Sequence, residues 1–294
     1  MPCSILAAAL LLQMATDPPL GEQIHVEPRI EEKDLPPPVL WDDFRYGPRH
    51  GDRIERVINP IKGRPPVVVT LYGHRGLSGA SRYETPWLDH YLFDRKLLSM
   101  RVRTDYNFRR NGVEHVATVA AGIGEIVRRA SKLGYDAERI VLVGNGWGAQ
   151  WAALLATDPS WLEAAGVPLS SIRAVILLDG SGLDLEAERT VSGSRLRKEI
   201  DRMLDGQPPA RLSPLRHAEA PNARRFLFYV APDDPESAGP SETLAEALRR
   251  AGAEVEVKRV RRTRSRVWPS YPGHPEHSER EALARFLREA VSLP

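Results

Sequence analysis

The chain alternates between short apolar runs and longer segments whose apolar residues recur every three or four positions. Val67 to Tyr72, Ile140 to Val143, Arg173 to Leu178 and Arg225 to Ala231 are almost continuously apolar. Strands covered on both faces of a parallel sheet read this way. Asp52 to Asn59, Leu97 to Val102 and Val255 to Val260 are weaker strand patterns. Helical periods lie between them. Val113, Val116, Val119, Ile123, Ile126, Val127 and Ala130 mark one buried face of a helix capped by Asn111 and ended by Gly134. Further helices are predicted over Tyr83 to Phe93, from a cap at Ser241 to Ala251-Gly252, and after a capping box of Ser278 and Glu281. Leu183 to Gly206 is charged and poorly periodic, and is expected as a partly exposed cap over the sheet edge. Strands alternating with helices predict an α/β protein with a doubly wound, mostly parallel sheet and helices on both faces.

Composition narrows the setting. With 42% hydrophobic and 27% charged residues in 294, the chain has the balance of a globular protein with a sizeable core. The net charge of +2 is too small to point to nucleic acid or a membrane surface as partner. The single cysteine, Cys3, excludes an internal disulfide and a multi-cysteine metal site. Residues 1–16 contain the apolar run Ile5 to Leu12, too short for a transmembrane span but of the length of a signal-peptide core. Export to the periplasm or outside the cell is the expectation from this segment. A cytoplasmic protein with an apolar start is the alternative, because no Lys or Arg precedes the run. Residues 17–38 are polar and proline-rich and read as an extended linker. Residues 39–294 carry the strand and helix patterns and form the predicted domain.

Ligand sites in open parallel sheets form at the carboxyl ends of the strands. Four loops leave such ends: Gly73–Gly79, Gly144–Gly148, Asp179–Gly182 and Pro232–Pro240. The three glycines of Gly144-Asn145-Gly146-Trp147-Gly148 allow a phosphate or dinucleotide loop to be considered, but the full G-x-G-x-x-G spacing is not met. His274-Pro275-Glu276-His277 suggests a metal pair. Pro275 excludes a regular helix there, no third ligand is evident, and neither metal nor cofactor is expected. The basic run Lys258 to Arg266 holds six cations in nine residues, and reads as a solvated strand end and loop.

The Gly144–Gly148 stretch follows a buried strand and precedes the helical run Gln150 to Thr157. Strand, tight turn and helix form the context of the G-x-S-x-G nucleophile elbow. From about Trp41 to Leu293 the chain resembles the esterase and arylformamidase-like branch of the α/β hydrolases. The likeness is carried by Tyr46-Gly47 to Asn59-Pro60, Val69 to Gly79, Ile140 to Asp158 and Leu227 to Pro235. The resemblance implies the α/β-hydrolase fold and a triad in the chain order elbow, acid, histidine. Asp234 matches the acid, with Asp233 as its neighbour alternative. His277, before the final helix, matches the histidine. Gly73, His74 and the backbone N–H of Trp147 match the oxyanion elements.

Two departures bear on function. The position of the nucleophile is occupied by Gly146, which has no side chain to carry an acyl group. The family's glycine-rich oxyanion segment reads here Tyr72-Gly73-His74-Arg75-Gly76, so side chains stand where glycine leaves room. These departures predict a pseudo-hydrolase that binds a small acyl or ester-like ligand, or a partner, without serine-dependent turnover. The alternative is a hydrolase using Ser78, Ser81, Ser181 or a water activated by His277 with Asp234.

Overall fold

The structure is a computed structural model describing residues 25–26, 40–58, 61–73, 86–104, 111–191, 193–219, 221–232, 235–261 and 279–292. Among the described residues nine strands form a single sheet: β1 (His25–Val26), β2 (Trp41–Arg45), β3 (Arg53–Val57), β4 (Pro66–Gly73), β5 (Leu98–Arg103), β6 (Asp136–Gly146), β7 (Ile172–Leu178), β8 (Arg225–Val230) and β9 (Glu254–Arg261). Their order is β1-β9-β8-β7-β6-β4-β5-β3-β2. Among the described strands only the β2/β3 hairpin and the β3/β5 pair are antiparallel. His25–Val26, inside the segment read as a linker, pairs in parallel with Val260 and Arg261 at one sheet edge.

The helices are α1 (Pro86–Asp94), α2 (Gly112–Leu133), α3 (Trp147–Thr157), α4 (Ser160–Ala164), α5 (Leu185–Val191), α6 (Ser194–Leu204), α7 (Pro235–Arg250) and α8 (Arg280–Ser292). Two buried clusters show how they divide. Val67, Val69, Leu142, Val175, Leu177, Phe226 and Phe228 face α2, α3, α6 and α7. The residues one step along the same strands, Val68, Val141, Val143, Ile176, Leu227 and Tyr229, face α1 and α8. Alternate side chains of a strand point to opposite faces, so a continuous apolar run is what a sheet sandwiched between helix layers requires. The doubly wound arrangement predicted from the pattern is therefore present.

Local signals act as expected in several places. Asn111 accepts the N–H of Glu114 at 2.9 Å and caps α2. Gly134, at φ 76°, lets its N–H return to the carbonyl of Ala130. The helix expected to start at Ser241 instead begins at Pro235, and Ser241 is buried within it. Pro240 lies inside α7, and Pro235 stands at the first helical position, where proline costs little. The charged stretch after Leu183 is less exposed than expected. Leu183, Leu185, Ile200, Met203 and Leu204 are all buried: α6 turns an apolar stripe to the body, and α5 is anchored at its first residue, Leu185. Ser278 lies outside the described residues. α8 itself buries Leu283, Phe286, Leu287 and Ala290 as predicted, while Val291 is only partly buried.

Near the hairpin edge, Arg101 is buried between Asp89 of α1 and Glu55 of β3, under the ring of Trp41. Removing one partner of a buried ion pair leaves an uncompensated charge. Asp89→Ala is expected to lower unfolding free energy by about 3 kcal/mol; urea denaturation measures this, and a change below about 0.5 kcal/mol would show that Arg101 is held by its other contacts.

Candidate active site

The carboxyl ends of the central strands lie side by side. Gly73, the last residue of β4, is the register partner of Gly146, the last of β6. Asn145 pairs with Leu178 of β7, and Leu178 with Tyr229 of β8. The strand-end row therefore runs from Gly73 through Gly146 and Asp179 to Val230, the residue after which the chain enters the Pro232 loop.

The turn at Gly146 depends on two glycines for separate reasons. Gly146 has φ 55° and ψ −119°, a conformation essentially restricted to glycine without strain. The chain can thus pass from β6 straight into α3 with no connecting residue. At Gly144 the reason is space. A Cβ there would lie 2.4 Å from the carbonyl oxygen of Gly148 and 2.5 Å from Cα of Ala149, both backbone. The first turn of α3 is pressed onto the end of β6, and only hydrogen fits between them. Ala149, Ala152, Ala153 and Ala156 continue this close contact down a helix in which every residue is buried.

α3 starts with no side-chain cap at Gly146. Its first N–H groups, that of Trp147 included, therefore present the positive end of the helix dipole to the carboxyl edge. The Trp147 side chain is buried under the next loop. A Cβ on Gly182, which has φ 78°, would be 2.6 Å from the Trp147 ring and from Oε1 of Gln150. Ser181 donates its backbone N–H to the carbonyl of Gly146 at 3.1 Å. Asp179, at φ 49° and buried, donates its backbone N–H to Tyr229 at 2.9 Å. The loop after β7 thus rests directly on the turn after β6.

That loop is held by a residue the sequence pattern did not single out. Glu188 of α5 is buried; its carboxylate accepts the N–H of Gly182 at 2.8 Å and that of Asp184 at 3.2 Å. Burial pushes the carboxyl up to about 7, outweighing the backbone hydrogen bonds from Gly182, Asp184 and Leu183, and the charge of Asp184 adds to the rise. No local signal marks Glu188 among the acidic residues of α5. The start of α5 is tied to a distant turn, where Ser213 Oγ accepts the N–H of Leu185 at 3.0 Å from 28 residues away.

Of the residues expected to carry chemistry, Gly73, Gly146 and Trp147 are brought together as described. His74, Asp234 and His277 lie outside the described residues, as do Asp233, His274, Ser78 and Ser81. Ser181 is buried beside Gly146. Among the described residues no group of histidine, cysteine and carboxylate side chains is arranged to hold a metal. Within the basic run, Lys258 pairs with Glu279 at 3.2 Å and Arg259 with Glu242 at 3.0 Å. No helix among the described residues is long and apolar enough to cross a membrane.

No family model and no curated protein sequence matches the chain. Solved structures do. Esterase B from Lactobacillus rhamnosis superposes with a TM-score of 0.70 at 14% identity, over 98% of this chain and 92% of that one. Esterase LipW from Mycobacterium marinum gives 0.67 at 18% identity, over 86% and 82%. An esterase from Rhizomucor miehei gives 0.66 at 16% identity, over 99% and 98%. At such identities the likeness establishes architecture: the chain has the α/β-hydrolase fold.

Two outcomes follow from this geometry. Gly144→Ala forces α3 away from β6 and is expected to cost about 3 kcal/mol, the upper range for overpacking; a thermal midpoint within a degree of the parent would contradict the close approach. Glu188 holds its proton more tightly folded than unfolded, so the stability it contributes is complete below pH 4.5 and lost as pH rises to about 7. The loss amounts to roughly 3 kcal/mol across that window. Denaturation curves at pH 5 and pH 8 should show it, and Glu188→Gln should narrow the gap.

Proposed function

We propose that this chain is an α/β-hydrolase-fold protein of the carboxylic-ester hydrolase kind that has lost serine-dependent turnover and binds a small acyl or ester-like ligand at the carboxyl edge of its sheet. The observation that carries the reading is the backbone of Gly146. In hydrolases of this fold the nucleophile sits on a sharp, strained strand-to-helix turn. The turn is kept here, at φ 55° and ψ −119°, while the side chain that would make it reactive is absent. Held in that conformation, serine costs about 1–3 kcal/mol of backbone strain, which glycine does not incur. Loss of the nucleophile is therefore stabilising as well as inactivating.

The remaining machinery in this reading is binding machinery. The N–H of Trp147 and the backbone at Gly73 and His74 form the donors for a carbonyl or oxyanion oxygen. Asp234 and His277 take the places of the acid and base that would have served the missing serine. Without Oγ no covalent intermediate forms, and bound ester is released unchanged. The esterases among the structural neighbours support the ester-like character of the ligand. The N-terminal apolar segment supports an exported protein.

Restoring the nucleophile tests this. Gly146→Ser is expected to lower stability by about 1–3 kcal/mol through the strained turn. The same change should confer hydrolysis of short-chain p-nitrophenyl esters, and that activity should be abolished in the His277→Ala double variant. A folded Gly146→Ser protein that stays inactive would show that the acid, base or oxyanion elements are not retained, and would contradict the reading.

A further inference from the structure

Asn145 is the residue of β6 that immediately precedes the Gly146 turn, and its side-chain amide has hydrogen-bonding capacity that the fold does not use. The residue is half-buried, and its Nδ2 donates to the carbonyl of Leu178 at 3.3 Å. That bond settles which way round the amide stands. A carbonyl takes a donor, so the nitrogen faces the end of β7 and Oδ1 lies on the other side of the group. Among the described residues Oδ1 accepts no hydrogen bond.

The direction of the side chain follows from the strand. A Cβ at Gly144 would run into the backbone of α3, and Val143 belongs to the cluster facing α1 and α8. Side chains alternate along a strand, so Asn145 stands on the α1 and α8 face, at the carboxyl edge. It is in register with Leu178, and Leu178 with Tyr229. The polar groups further along this row serve the start of α8. The Tyr229 hydroxyl donates to the carbonyl of Glu279 at 3.5 Å, and Lys258, in register with Tyr229, pairs with the Glu279 carboxylate at 3.2 Å. Consecutive Cα atoms are about 3.8 Å apart, so the amide is next to the turn at which the ligand of the proposed reading is bound. Small-molecule sites use a few placed polar groups of this kind to fix orientation and choice of ligand.

We propose that Asn145 is a specificity-determining residue of this site: its Oδ1 accepts a hydrogen bond from the ligand, so the acyl or ester-like ligand carries a hydroxyl or amide N–H on its acyl chain. The inference rests on the ligand-binding reading given above. The Leu178 carbonyl holds the amide before any ligand arrives, so little side-chain freedom is lost on binding. A plain alkanoyl ester has no donor and leaves Oδ1 to water. One neutral hydrogen bond exchanged for one to water gives a preference of about five- to tenfold.

NMR titration of the intact chain tests this, with affinity read from the Gly146 and Trp147 amide signals. Ethyl lactate and N-acetylglycine ethyl ester supply the donor as a hydroxyl and as an amide N–H; ethyl propionate lacks it. One of the donor esters should bind about five- to tenfold more tightly than ethyl propionate, and which one does so identifies the donor. In Asn145→Leu, of similar volume and without an acceptor, the three affinities should converge. A merely structural role would instead lower all three together and keep their order, which overturns the proposal. Equal affinities in the parent chain overturn it as well, with no variant needing to fold, and leave the ligand-binding reading standing. If none of the esters moves the Gly146 and Trp147 signals, that reading falls and this inference with it.

Discussion

Everything at the carboxyl edge depends on how closely α3 approaches the end of β6. The contact is backbone against backbone at Gly144, where no Cβ fits, and it continues through four alanines that keep the helix against the sheet. Because the helix starts at the residue after the strand ends, the reversal must be made by one residue. Gly146 makes it in a conformation that other residues adopt only under strain. The row of strand ends, the uncapped N–H groups of α3 and the seat for the following loop all follow from this one approach. A wider turn would move each of them.

The parts of the fold set by local pattern were readable in advance. The four continuous apolar runs became the four central strands because both faces of the sheet are covered, and neighbouring residues fall into opposite core clusters. The ends of α2 were legible because Asn111 and Gly134 satisfy terminal backbone groups within a few residues of themselves. The start of α7 was not, since Ser241 has the residue type of a helix cap and lies buried inside the helix. The site shows the same division. Gly144, Gly146 and Gly148 announce a sharp turn by composition alone. Glu188 does not announce itself, because nothing in the local pattern separates it from Glu186, its exposed neighbour on α5, and its burial is set only by the folded chain. The acid and histidine expected at Asp234 and His277 lie outside the described residues.

The proposed function separates scaffold from reactivity. A strained nucleophile turn is maintained in an enzyme because the reactive oxygen has to be presented there. Here the geometry persists with glycine, for which the same angles carry no penalty. The turn is then explained by the packing of α3 on β6, which needs the sharp reversal whether or not a nucleophile is present. A buried carboxylate, that of Glu188, holds the adjacent loop through the N–H groups of Gly182 and Asp184.

The central claim is that the elbow has no nucleophile and that no other serine has replaced it. Incubating the parent chain with a fluorophosphonate probe, followed by intact mass measurement, addresses it most directly. The account predicts an unmodified mass under conditions that label an active serine esterase to completion. A stoichiometric adduct, mapped to Ser78, Ser81, Ser181 or any other serine, would contradict it.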